Sequence, residues 1–173
     1  MYTNIRGMKG KKNSLIEILH DCEPQIFLLT ETQLRSNTGM HIDGYKFFGR
    51  KREGKNGGGV GILVRNDIAD RVIPHISDRP IEIMWISIRR KQLEPLFVSV
   101  YYGKQESRTN KEEIEHEMSL LQEKIREMRN EGDIVMAMDG NARIGLLNEE
   151  ISRNGRLILN VFHEEGLKHH QWK

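Results

Sequence analysis

Short runs of consecutive apolar residues alternate along this chain with longer segments in which apolar residues recur every three or four positions. Residues 25–30 (QIFLLT), 60–65 (VGILVR), 96–102 (LFVSVYY) and 134–138 (IVMAM) are of the first kind. They are too short for ordinary helices and predict strands, of which 25–30 reads as buried on both faces and 134–138 as a second all-apolar strand of that kind. Residues 82–89 alternate well enough for a further strand, and a turn near 91–95 would fold it onto 96–102 as a hairpin. Residues 45–48 are another candidate strand, and residues 1–5 a strand stub.

The second kind predicts helices. Leu15, Ile18, Leu19 and Cys22 share one helical face, Ser14 with Glu17 fits a capping box, and Pro24 ends the segment. Ile114, Met118, Leu121, Ile125 and Met128 make a stripe along residues 111–130, the strongest helix of the chain. A coiled-coil seam is the other reading of that stripe, but it spans too few heptads, and packing on a sheet fits better. Residues 154–165 read as a last helix, with Gly166 as its C-cap. Strands and helices in this order define an α/β sandwich with a mixed sheet.

The 173 residues suit one domain spanning 1–173. Aromatic residues are only 6% of the chain, which predicts a thin core. The net charge of +2 neither demands nor excludes a nucleic-acid partner, but charge is segregated. Residues 45–71 carry seven Lys/Arg against three acids, and residues 106–133 nine acids against five Lys/Arg, which predicts a basic and an acidic face. Cys22 is the only cysteine, so no intrachain disulfide forms and a reducing compartment fits. No apolar run approaches the ~18 residues of a membrane span. The opening MYTNIRGMKGKK lacks the apolar stretch of a secretion signal. A nuclear or cytoplasmic location follows, with no membrane partner.

Three polar positions follow apolar strands: Asn4 after the stub, Glu31 after QIFLLT, and Asp139 with Asn141 after IVMAM. Strand ends of α/β sheets are where ligands collect. Two carboxylates brought together there suit a hard cation such as Mg²⁺, which takes one or two carboxylates and otherwise water or phosphate oxygen. Each position also has an ordinary explanation. A lone Glu after a strand is a solvated turn residue, and Asp-Gly-Asn is a turn sequence. The basic Gly-rich stretch holding Arg50, Lys51, Arg52 and Lys55 reads either as a phosphate-contacting loop or as a solvated one. Arg143 lies close behind Asp139 and is a further candidate contact.

Taken together, these segments resemble the endonuclease/exonuclease/phosphatase superfamily. Residues 2–7 (YTNIRG) resemble its opening strand, and 24–32 (PQIFLLTET) its Glu-terminated strand. Residues 57–64 (GGGVGILV) are similar to its glycine-led strand, Val100-Tyr101 to its tyrosine motif, and 138–142 (MDGNA) to its aspartate-x-asparagine motif. Asn154-Gly155-Arg156 and Gly166-Leu167 resemble the apurinic-endonuclease-like domains of non-LTR retrotransposons. The order is conserved over essentially the whole chain.

The resemblance implies a four-layer α/β sandwich of the DNase I-like type and Mg²⁺-dependent hydrolysis of a DNA phosphodiester, with Mn²⁺ as a substitute ion. It implies Glu31 as principal metal ligand and Asn4 as its support. Tyr101, in preference to Tyr102, would contact the scissile phosphate. Asp139 would orient or deprotonate the attacking water, and Asn141 would bind a phosphate oxygen. DNA would be held through its backbone by Arg50, Lys51, Arg52, Lys55 and Arg143. A reverse transcriptase domain in a longer parent polyprotein is the implied partner.

Besides a short opening strand, with only three residues before Asn4, which is expected to fray, the chain departs from the family in two places. The family's late aspartate-histidine pair has no counterpart, and none of His163, His169 and His170 is assigned to catalysis. The expectation is therefore a C-terminally truncated domain lacking part of the second sheet, weak or inactive as it stands. The alternative is a non-catalytic remnant that binds nucleic acid or protein. The second departure is Gly140, which takes the place of a bulky residue in the aspartate motif and is expected to remove a packed side chain and loosen the backbone.

Overall fold

In the computed structural model, residues 1–36, 40–54, 57–145 and 150–168 are described. The strands are β1 (Tyr2–Asn4), β2 (Ile26–Thr30), β3 (Tyr45–Arg50), β4 (Val60–Arg65), β5 (Val72–His75), β6 (Ile83–Arg90), β7 (Leu93–Tyr102) and β8 (Asp133–Asp139). The helices are α1 (Lys12–Cys22), α2 (Asn66–Ala69), α3 (Lys111–Arg129) and α4 (Arg153–Glu164).

The strands form two four-stranded mixed sheets, in the orders β1-β2-β4-β3 and β5-β6-β7-β8. Within them β1 runs parallel to β2 and β7 parallel to β8; all other neighbours are antiparallel. Three apolar clusters make the layers. Leu28, Ile62 and Val64 of the first sheet meet Met84, Ile86, Val98 and Val100 of the second. Leu15 and Leu19 of α1 cover Phe27, Leu29 and Leu63. Leu121, Ile125 and Met128 of α3, with Ile158 and Val161 of α4, cover Trp85, Phe97 and Tyr101. The result is the expected α/β sandwich, with helices outside two stacked sheets. Both faces of β2, β4, β6 and β7 are therefore buried, which is why β2, β4 and β7 read as continuous apolar runs. Residues 134–138 read the same way, but β8 lies at a sheet edge and is only partly buried, with Val135 exposed.

Several local features differ from the sequence expectation. Helix α1 begins at Lys12, and Leu15 already donates to the Lys11 carbonyl, so Ser14 lies inside the first turn and caps nothing. Strand β5 contains Pro74 and sits at a sheet edge, where a missing N–H breaks no ladder. The β6–β7 hairpin turns earlier than expected, with Gln92 at φ 57°, and Pro95 falls opposite a register shift between Ile88 and Arg90. Helix α3 is capped by Asn110, whose side chain accepts from the Glu113 N–H, and α4 by Ser152, which accepts from Gly155. No helix of the described residues is long and apolar enough to cross a membrane.

Candidate metal and phosphate site

The two parallel strand pairs bring four C-terminal strand ends together. Asn4 ends β1, Glu31 follows β2, Tyr102 ends β7 and Asp139 ends β8. The Asn4 amide joins the two sheets, because its Nδ2 donates to Glu31 Oε1 at 2.8 Å and to Asp139 Oδ2 at 2.9 Å. Its Oδ1 accepts the Arg6 N–H at 3.3 Å, which fixes which way the amide points. Asn4 thus reaches a residue 135 positions further along the chain and shares one neutral donor group between two carboxylates.

The backbone around these groups is held as well. Glu31 adopts φ 53°, a left-handed conformation that costs a non-glycine residue about 1 kcal/mol or more. Gly7 donates to the Glu31 carbonyl, and the next two residues dock on the glycine loop, Thr32 to Gly59 and Gln33 to Gly58. Asn141 is also left-handed, at φ 46°, a conformation Asn tolerates. Its N–H donates to Asp139 Oδ1 at 3.1 Å and its Nδ2 to the Gly103 carbonyl at 2.6 Å. The Gly103 N–H donates to the Asp139 carbonyl, completing a link between the ends of β7 and β8.

Tyrosine assignment is corrected by strand alternation. Successive side chains on a strand point to opposite faces. Tyr101 points away from the carboxylates, into the layer under α3, and its hydroxyl donates to the buried Glu117 carboxylate at 2.6 Å. Burial and the adjacent carboxylate push its phenol well above the usual tyrosine range. Tyr102 lies between the sheets, and its hydroxyl reaches Glu31 Oε1 at 3.4 Å. Burial pushes the Tyr102 phenol up; Asn141 lowers it, Glu31 and Asp139 raise it, and Arg52 lowers it. Tyr102, the residue set aside from sequence, is the one at the site.

The basic residues divide similarly. Arg50 is spent on structure, donating to the carbonyls of Ser77 at 2.8 Å and Arg79 at 2.6 Å. Arg52 pairs with Glu82 and lies over the Tyr102 ring, 5.2 Å from its centre. Lys51 lines the same groove, of about 500 Å³, that opens beside Glu31, Tyr102 and Lys104. Arg143 is exposed, and its backbone closes the loop onto Ser152. Lys55, His169 and His170 lie outside the described residues. A larger hollow of about 780 Å³, bordered by His20, His41 and Arg65, lies at the other end of β2, beyond reach of the carboxylates. His163 is exposed on α4.

Gly140 does not leave a void. A Cβ built there would overlap the Ile158 Cδ1 methyl of α4, so the isoleucine occupies the space and a side chain at 140 would have to displace that methyl. Sequence reading missed Lys104 and Glu117 as neighbours of the site. Lys104 Nζ lies 3.4 Å from Glu117 and 3.8 Å from Glu113, and Asn154 Nδ2 donates to its carbonyl at 3.0 Å. A buried acid within the α3 stripe was the signal available for Glu117.

No group of three or more His, Cys, Asp or Glu side chains suited to a metal occurs among the described residues. The set that does converge is two carboxylates, hard oxygen donors, bridged by the N–H groups of the Asn4 amide, whose own oxygen is turned to the Arg6 N–H. That composition fits a divalent cation that keeps most of its water, as Mg²⁺ does, and does not fit zinc.

The sequence profile of the Endonuclease/Exonuclease/phosphatase family matches residues 1–163, and the chain belongs to that family. No curated protein sequence matches it. Among solved structures, the endonuclease domain of TRAS1, a telomere-specific non-LTR retrotransposon, is similar with TM-score 0.68 and 19% identity, over 95% of this chain and 70% of that one. The 3′ phosphatase NExo from Neisseria, bound to a product DNA hairpin, gives 0.69 and 18%, over 94% and 69%. The Xenopus laevis APE2 catalytic domain gives 0.70 and 17%, over 93% and 66%. This chain thus spans about two thirds of the length of these structures, and the likeness is one of fold.

Proposed function

We propose that the chain is a divalent-metal-dependent phosphodiesterase domain acting on DNA, of retroelement origin and of low turnover in this form. The observation that carries this reading is the Asn4 amide bridging Glu31 and Asp139 across the two sheets. Two carboxylates held by one neutral donor leave negative charge that a cation would offset. A Mg²⁺ or Mn²⁺ ion held by Glu31, with Asn4 orienting the carboxylate, would act as a Lewis acid toward a phosphate oxygen.

The chain's own groups supply the rest. Asp139, with Oδ1 fixed by the Asn141 N–H and Oδ2 by Asn4, accepts a proton from the attacking water. The Tyr102 hydroxyl donates to a phosphate oxygen on the side facing Glu31. Asn141 keeps the β8 turn in place through Gly103 and presents its amide beside the same phosphate. Backbone contacts to the DNA fall to Lys51 and Arg143, with Lys104 at the groove wall. DNA as substrate is supported by neighbours of the same fold whose structures hold DNA. A reverse transcriptase segment in a parent polyprotein remains part of the proposal through the retrotransposon domain of the same fold.

Nicking of supercoiled plasmid tests this. Mg²⁺-dependent conversion to open circles, abolished in Glu31→Ala and by chelator, is expected. Salt-sensitive DNA binding without nicking at high protein concentration would give instead the binding-only reading.

A further inference from the structure

The basic, glycine-rich stretch before β4 invites assignment to the DNA backbone, yet its best-held cation faces inward. Arg52 pairs through Nε with Glu82, and both side chains are largely buried, 25% and 18% exposed. The other Glu82 oxygen accepts the Gly59 N–H at 2.6 Å, and the Glu82 carbonyl accepts the Tyr102 N–H at 2.9 Å. The guanidinium lies 5.2 Å from the centre of the Tyr102 ring.

The glycines explain how this pair fits. A Cβ on Gly58 would overlap the Arg52 guanidinium and the Glu82 carboxylate, and one on Gly59 would meet Thr32 Oγ1 at 2.7 Å. Both have positive φ, 62° and 84°. The same two residues accept the N–H groups of Gln33 and Thr32, directly after Glu31. The loop is thus shaped on one side to the Glu31 segment and on the other to an ion pair that packs on Tyr102. A loop built only to sweep along phosphates needs neither the buried carboxylate nor the overlap at Gly58.

We propose that Arg52 is a positioning residue, held by Glu82 over bare backbone at Gly58, that sets the place of the Tyr102 ring relative to the Glu31–Asp139 carboxylates. The pair acts through Tyr102 and makes no phosphate contact. The inference rests on the functional reading above only for its catalytic consequence; the placement itself is independent of it.

The test uses the full chain with its four tyrosines replaced by 3-fluorotyrosine. Tyr102→Phe identifies the Tyr102 fluorine signal. Mn²⁺ at the carboxylates broadens that signal steeply with proximity. In Arg52→Met the Tyr102 signal moves and its Mn²⁺ broadening changes, while the other three tyrosine signals stay; Arg52→Lys, which keeps a cation over the ring, retains most of the original behaviour. An unchanged Tyr102 signal in Arg52→Met overturns the inference. If Mn²⁺ broadens no tyrosine, the metal reading fails, and the metal-free spectrum decides the inference by the same comparison. In active preparations Arg52→Met lowers kcat on the order of five- to tenfold with KM within about twofold, and has no further effect in Tyr102→Phe. A fall of about one in the salt slope of DNA binding in Arg52→Met would instead make Arg52 a phosphate contact, and the inference would be wrong.

Discussion

Removing one hydroxyl from each of the adjacent tyrosines separates stability from function. Tyr101 is fully buried, and its hydroxyl is 2.6 Å from the carboxylate of Glu117, itself 3% exposed. Tyr101→Phe leaves that acid with only Lys104, whose N–H and Nζ both lie at 3.4 Å. A hydrogen bond to a charged or strongly polarised group contributes about 1.5–3 kcal/mol, and an acceptor stranded by its loss keeps its desolvation cost. The expected loss is about 2 kcal/mol, or roughly 4–8 °C in melting temperature for a chain of this size. The Tyr102 hydroxyl makes a 3.4 Å contact with Glu31 at the half-buried edge of the site. Tyr102→Phe keeps the ring between the sheets and should cost less than about 0.5 kcal/mol. Urea unfolding at pH 8, followed by the fluorescence of the buried Trp85, measures both. In plasmid nicking well below the melting range, Tyr101→Phe should retain its rate, whereas Tyr102→Phe should lose on the order of 10²-fold, as for one transition-state donor. Equal destabilisation by the two changes, or loss of nicking with Tyr101→Phe alone, would refute the face assignment.

Other outcomes follow from the same geometry. Glu31→Asn relieves the left-handed strain at φ 53° and should raise stability by about 0.5–1 kcal/mol while abolishing metal-dependent nicking; a destabilised variant in urea would contradict the strain argument. Gly140→Ala forces a methyl into Ile158 and should cost about 1–3 kcal/mol, most of it recovered in the Gly140→Ala/Ile158→Val double variant, as measured by thermal melts. Burial raises the Glu117 carboxyl above its ordinary value, with Tyr101 and Lys104 opposing. Its stabilising contribution is therefore fully present below the unfolded carboxyl range and is lost as pH rises through the folded value. Wild type should lose stability relative to Glu117→Gln over that rise, and parallel pH curves for the two would exclude the effect.

Much of the layered fold was legible because burial on two faces and burial on one leave different periodicities. QIFLLT announces an interior strand, and the α3 stripe announces a helix with one covered side; IVMAM looks equally interior but forms the edge strand β8, whose Val135 is 52% exposed. The carboxylates at their ends were legible for the same reason, since a polar residue that closes an apolar strand marks where the strand leaves the core. The choice between Tyr101 and Tyr102 was not legible. Both faces of β7 are buried, so its sequence has no alternation to tell which side a residue takes. The roles of Arg50 and Arg52 were hidden because their partners, Ser77, Arg79 and Glu82, lie some thirty residues on and meet them only across the sheets. The fit of Gly140 to Ile158 has the same origin: a position that looked loosened in the chain is filled from another helix. Strand β5 was missed because Pro74 argues against a strand unless the edge position is known.

In the proposed site Glu31 holds the divalent cation, with Asn4 and Asp139 beside it as its support. Mn²⁺ titration followed by electron paramagnetic resonance, on the wild-type chain and on Glu31→Gln and Asp139→Asn, measures it without any need for turnover. The wild type is expected to show a site that each single change weakens by at least about tenfold, the scale of losing one ligand or its support. Unaltered Mn²⁺ binding in both variants would contradict it.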